Sequence, residues 1–149
     1  MLNRISKQDI ETYQTQGVVV LRDVFTPWIE LLSQGAAFNI TNPSTRALTH
    51  GNDQSRFLED FCCWKDIPEY SQFVTESPLA SIAAKLMHSN SAQFFHDHFL
   101  YKEGGSNIPT PWHQDMPYYC VDGEQTVSFW IPLERRAKAI SLKCLAGSH

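Results

Sequence analysis

With 149 residues, 42% of them apolar and 12% aromatic, the chain is long enough for one domain to bury a real core. A formal charge of −4 and a pI near 5.8 argue against a nucleic-acid footprint, which needs clustered Lys and Arg to neutralise phosphates. No run approaches the length of a bilayer span, and the start, Met1-Leu-Asn-Arg-Ile-Ser-Lys, lacks the apolar centre of a secretory signal, so a soluble, cytoplasmic protein is expected.

Ser6-Lys-Gln-Asp9 opens a helix, with Ser6 as cap, Asp9 in the first turn, Ile10 and Tyr13 on one side and Gly17 as the stop. The apolar run Val18-Val-Val-Leu21 reads as a buried strand. Thr26-Pro27 then starts a second helix, whose stripe of Trp28, Ile29, Leu31, Leu32 and Ala36 is core. From Phe38 to about Arg56 the polar composition predicts a long loop. Residues 57–64 fit a strand or a helix equally. Ser77-Pro78 starts a clearer helix through Leu79, Ile82, Ala83, Leu86 and Met87.

Strands are expected from there on. Over Ala92–Lys102, alternation puts His96, His98, Leu100 and Lys102 on one face, and Gln125–Leu133, β-branched and aromatic, reads as a further strand. His96 and His98 suit hydrogen-bonded residues on a strand face, or the lining of a pocket. The basic cluster Arg135-Arg136-Ala137-Lys138 reads as a solvated turn rather than a phosphate site. Cys62, Cys63, Cys120 and Cys144 match neither a CxxC pair nor a zinc frame, so reduced, mostly buried thiols are expected.

Thr110-Pro-Trp-His113-Gln-Asp115 carries the chemistry. In a strand, His113 and Asp115 point the same way and Gln114 the other, so one imidazole and one carboxylate can grip a metal ion from one side. They are two thirds of the 2-His-1-carboxylate triad that holds Fe(II) with open positions. Such a triplet is also common among ordinary surface polar residues. The Gly-rich, proline-ended loop Glu103–Pro111 before it and the aromatic run Met116-Pro-Tyr-Tyr119 after it favour a site.

Taken in order, Gly17-Val-Val-Val-Leu-Arg22, Asp97-His-Phe-Leu-Tyr-Lys-Glu-Gly-Gly105, Thr110–Asp115, Ser128-Phe-Trp-Ile-Pro-Leu133 and Leu145-Ala-Gly-Ser-His149 resemble the phytanoyl-CoA dioxygenase family over nearly the whole chain. The resemblance implies one domain over 1–149, mainly β with flanking α-helices. Its helices would lie roughly at 6–88, followed at roughly 92–149 by the strands of a double-stranded β-helix, a cupin-like jelly roll incomplete at the C-terminus. It implies a non-haem dioxygenase that uses Fe(II), 2-oxoglutarate and O2 to hydroxylate an organic small molecule. His113 and Asp115 would be iron ligands, and Lys102 and Trp130 would lie at the 2-oxoglutarate. Trp112, Tyr118, Tyr119 and Phe129 would supply dry walls or core.

In the family a second iron His, and an Arg for the distal carboxylate of 2-oxoglutarate, follow the Gly-Ser-His motif, beyond His149 here. The resemblance therefore implies a chain cut before both, inactive alone and prone to self-association through exposed sheet edges. His149 matches a loop residue and not a ligand. Two other readings stay open: a non-catalytic jelly-roll binding module without a complete metal centre, and a cupin-like metal hydrolase or isomerase, which would need a His-rich cluster on neighbouring strands.

Overall fold

A computed structural model describes residues 5–51, 55–104, 109–135 and 141–149. The chain divides into two compact units, each assembled from separated stretches.

The first unit comprises Met1–Pro27, Pro78–Gln93 and His113–His149. Its helix α1 (Lys7–Gln16) begins as the sequence predicts, at a capping box. The Asp9 amide donates to Ser6 Oγ at 3.1 Å, and the Ser6 amide donates to Asp9 Oδ2 at 2.8 Å. It ends at Gly17, whose φ of 72° lies in the left-handed region that glycine adopts without a Cβ penalty. There is a second reason for glycine: a Cβ at this position would stand 2.5 Å from the His149 ring.

Residues 18–21 form no strand. Val19 and Leu21 turn into the core while Val20 is 70% exposed, so the run alternates instead of being buried throughout. The core of this unit is Val24, Ile82 and Leu86, packed with Ile10, Tyr13, Phe25, Val127 and Phe129. Ile82 and Leu86 come from the helix predicted after Ser77-Pro78, which runs over Leu79–Leu86 and buries Leu79, Ile82, Ala83 and Leu86.

The second unit comprises Trp28–Ser77 and Phe94–Trp112. Helix α2 (Ile29–Thr41) follows a 3-10 turn at Thr26–Trp28 and has no side-chain cap; it runs on past Phe38 into the stretch expected to be loop. Strands β1 (Leu48–His50), β2 (Phe57–Phe61) and β3 (His98–Lys102) form one antiparallel sheet in that order. The ambiguity over 57–64 is thus settled as a strand over 57–61, with 62–64 outside it. Helix α3 (Pro68–Glu76) was not predicted; Pro68 opens it, and Tyr70 and Phe73 are its buried side. With α1 and α2 before it, the helix over Leu79–Leu86 is α4.

The expectation of strands with flanking α-helices is met in part. The described residues hold a three-stranded antiparallel sheet with four α-helices, and more residues lie in helices than in strands. Residues 92–97 and 125–133 join no ladder among the described residues. A period-two pattern requires only that alternate side chains be buried, and the partner strand is a separate, tertiary matter. Asn52–Gln54, Gly105–Ile108 of the expected flexible loop, and Arg136–Lys138 of the basic cluster lie outside the described residues. Among the described residues no helix is long and apolar enough to cross a membrane.

A buried carboxylate organises the second unit. Asp60 on β2 is 0% exposed and accepts from Asn39 Nδ2 and the Ser44 amide, each at 2.7 Å, from the Ser44 hydroxyl, and from the Phe61 amide at 2.9 Å. Burial pushes its pKa up, but the Ser44 amide and hydroxyl and the Asn39 amide outweigh it and hold the pKa at about 2. Asp97 does a similar job at the end of β2, accepting the Cys63 and Trp64 amides at 3.0 Å each. That fixes the left-handed turn at Cys62, whose φ is 57°.

The four cysteines are free thiols, but only Cys63 is buried, whereas Cys62, Cys120 and Cys144 are exposed, against the expectation that most would be inside. Burial, and then the neighbouring Asp60, push the Cys63 thiol up to about 11, so it remains protonated at neutral pH.

Asp60 supports a prediction. Its folded pKa is depressed, so its contribution is complete above the ordinary value near 3.8 and fades as pH falls toward 2. The shift corresponds to roughly 2 kcal/mol. Asp60→Asn should lose roughly that much at pH 7 and flatten the dependence of stability on pH between 4 and 2, both measurable by urea unfolding. Unchanged acid sensitivity in the variant would show that other carboxylates carry it.

Candidate functional site

Asp115 lies at the entry of a 3-10 turn, Met116–Tyr118, in which Pro117 presets the backbone. The Tyr118 amide donates to the Asp115 carbonyl at 2.9 Å and the Tyr119 amide to that of Met116 at 3.0 Å. The turn brings His113 Nε2 to 3.3 Å from Asp115 Oδ1, with the two side chains 39% and 47% exposed. The pair expected from sequence therefore forms, but through a turn and not through strand alternation: Asp115 has φ −71° and ψ −37°, and no strand covers it.

The other oxygen of Asp115 is held from behind. Ser128 Oγ donates to Asp115 Oδ2 at 2.8 Å, the Tyr119 hydroxyl stands 3.4 Å from the same oxygen, and the two hydroxyls are 3.2 Å apart. Burial, only partly offset by the Ser128 hydroxyl and reinforced by Asp115, raises the Tyr119 pKa, so the phenol keeps its proton and acts as a donor.

Ser128 reaches Asp115 because residues 127–130 alternate. Val127 and Phe129 enter the core, where Phe129 meets Phe25 edge-on at 6.0 Å, while Ser128 and Trp130 are exposed. The Tyr13 hydroxyl anchors the same segment by donating to the Thr126 carbonyl at 3.0 Å. Ser128 was quoted in the sequence only as part of a motif, and Tyr119 only as a wall. A 13-residue separation offers no local signal that a serine will bond an aspartate.

The remaining candidates fall elsewhere. Trp130 is 47% exposed in the first unit. Lys102 belongs to the second, at the end of β3, with its ammonium 4.5 Å from the Phe57 ring centre and 3.4 Å from Thr110 Oγ1. His149 lies along α1: its Nε2 stands 3.2 Å from the Gln14 carbonyl, and the Gly147 amide donates to the Gln16 carbonyl at 2.8 Å.

His98 sits opposite Phe61 and stacks on it at 4.1 Å. Its Nε2 is 3.0 Å from Glu59 Oε2, while His50 Nε2 is 2.9 Å from Glu59 Oε1, so one carboxylate on the middle strand links two imidazoles on the outer strands. This is the kind of cluster that the hydrolase reading needed. Yet among the described residues no three His, Cys, Asp or Glu side chains are arranged to hold one metal ion.

What His113 and Asp115 can do follows from their donors. Two ligands about 2.1 Å from one octahedral ion at a right angle stand about 3 Å apart. The observed 3.3 Å is close to that spacing, one donor being imidazole and the other carboxylate. The pair fits two adjacent positions of an Fe(II) ion, with its outer support already in place.

Residues 13–149 match the family model described as phytanoyl-CoA dioxygenase (PhyH). The chain belongs to the phytanoyl-CoA dioxygenase family. No curated protein and no solved structure matches it. The phytanoyl-CoA dioxygenase family is one of oxygenases with a cupin-like fold, generally dependent on Fe(II) and 2-oxoglutarate and acting with O2 on small molecules.

If His149 only braces the end of α1, His149→Ala should leave Fe(II) or Co(II) affinity unchanged and cost no more than about 1 kcal/mol of stability. A marked loss of metal affinity, read by calorimetry, would make His149 a ligand.

Proposed function

We propose that this chain is a non-haem Fe(II)- and 2-oxoglutarate-dependent dioxygenase that hydroxylates an organic small molecule, with His113 and Asp115 as metal ligands. The observation that carries the proposal is the 3.3 Å approach of His113 Nε2 to Asp115 Oδ1, with Oδ2 engaged by Ser128. Residues 1–149 act as one oxygenase domain of the jelly-roll type.

Iron, when bound, supplies the oxygen chemistry that couples decarboxylation of 2-oxoglutarate to oxidation of a C–H bond. The chain's own residues bind and orient. His113 offers a neutral imidazole nitrogen and Asp115 an anionic oxygen, which together offset part of the charge of a divalent ion and leave the remaining positions to a third ligand and the reactants.

Among the described residues no three His, Cys, Asp or Glu side chains are grouped to hold one metal ion. The second reading is a family member that keeps the scaffold as a binding module. Anaerobic titration of Fe(II) with 2-oxoglutarate decides between them. The dioxygenase reading expects the visible charge-transfer band of a chelated keto acid at about one iron per chain, lost in His113→Ala and in Asp115→Ala. Both side chains are well exposed, so the variants should stay folded, with stability changed by no more than about 0.5 kcal/mol. No band, with the fold intact by circular dichroism and none from a longer parent chain either, would favour the binding module.

A further inference from the structure

We propose that Ser128 and Tyr119 are positioning residues for the metal: their hydroxyls hold Asp115 Oδ2 from behind, so that Oδ1 alone is presented beside His113. The inference rests on His113 and Asp115 being metal ligands and goes beyond that reading by naming what makes the carboxylate a one-oxygen ligand.

The geometry is specific. An aspartate's terminal torsion is broad and nearly two-fold, so an unrestrained carboxylate can offer one oxygen, both, or neither. Here Ser128 Oγ, at 2.8 Å, donates its single proton to Oδ2. Tyr119 stands 3.2 Å from Ser128 Oγ and 3.4 Å from Oδ2, and so closes a triangle of oxygens on the side of the carboxylate away from the imidazole. Oδ1 is left 3.3 Å from His113 Nε2.

Each hydroxyl is placed by a different part of the chain. The turn at Met116–Tyr118 returns Tyr119 toward the residue four positions before it. Ser128 is carried by a segment in which its neighbours Val127 and Phe129 are partly buried and packed against the core. The carboxylate is therefore referenced both to its own turn and to the packed interior. Hydrogen bonds of this outer kind fix ligand orientation, and their loss typically weakens metal binding about 10- to 100-fold.

The test is Co(II) binding to the whole chain, followed by visible absorption and calorimetry, with stability followed separately by urea unfolding. Ser128→Ala should weaken Co(II) affinity about 10- to 100-fold and change the visible spectrum, because the freed carboxylate changes how it is bound. Ser128→Thr, which keeps the hydroxyl, should restore both. Tyr119→Phe should give a smaller loss, less than about tenfold. A purely structural role would instead shift the urea midpoint of Ser128→Ala and leave affinity and spectrum as in the wild type, and that result would overturn the proposal. Wild-type chain that binds no Co(II), or binding that survives Asp115→Ala, would overturn the ligand assignment itself and the positioning role with it.

Discussion

The candidate site depends on the alternation of residues 127–130. Successive side chains there face opposite sides, so packing Val127 and Phe129 against the core of Val24, Ile82 and Leu86, with Phe129 edge-on to Phe25, delivers Ser128 to the outside. There it meets Asp115 Oδ2 at 2.8 Å. The hydrophobic effect thus positions a hydrogen-bond donor. The apolar residues supply the energy, and the serine between them receives a location it could not hold through its own single bond.

Polar groups organise both units, in contrasting ways. Asp60 is inaccessible to water and is worth its desolvation only because four donors from Asn39, Ser44 and Phe61 surround it. Asp115 is 47% exposed, has one oxygen restrained and the other turned toward an imidazole. The first carboxylate is saturated by its own chain and serves the fold. The second has Oδ2 held by Ser128 and Oδ1 beside the His113 imidazole, on a half-exposed side chain.

Much of the fold was legible where short-range chemistry decides it. Ser6 and Asp9 cap α1, Gly17 ends it, and Leu79, Ile82, Ala83 and Leu86 form the buried stripe of α4, because capping and helical periodicity act within a few residues. Strands were less legible. Of Val18–Leu21, Ala92–Lys102 and Gln125–Leu133, only His98–Lys102 pairs, although the in-and-out pattern at 19–21 and 127–130 is the one that an extended segment shows. Helix α3 was missed because Pro68-Glu-Tyr-Ser-Gln-Phe buries only Tyr70 and Phe73, too sparse a signal to stand out. Of the candidate site, the approach of His113 to Asp115 was legible from residue type and spacing alone.

The sequence by itself determined the family, through motifs in order over residues 13–149, and the two side chains that meet at the site, because their chemistry and their two-residue separation hold whatever the backbone does. Only the tertiary structure decided that a turn rather than a strand brings them together, that Ser128 and Tyr119 hold the carboxylate, and that Glu59 links His50 to His98. Each of these contacts, apart from the turn itself, is a single hydrogen bond made where the chain was already placed by burial of other residues. Local sequence carries no record of such placements, since the net energy of one bond, about 1 kcal/mol, is too small to select them.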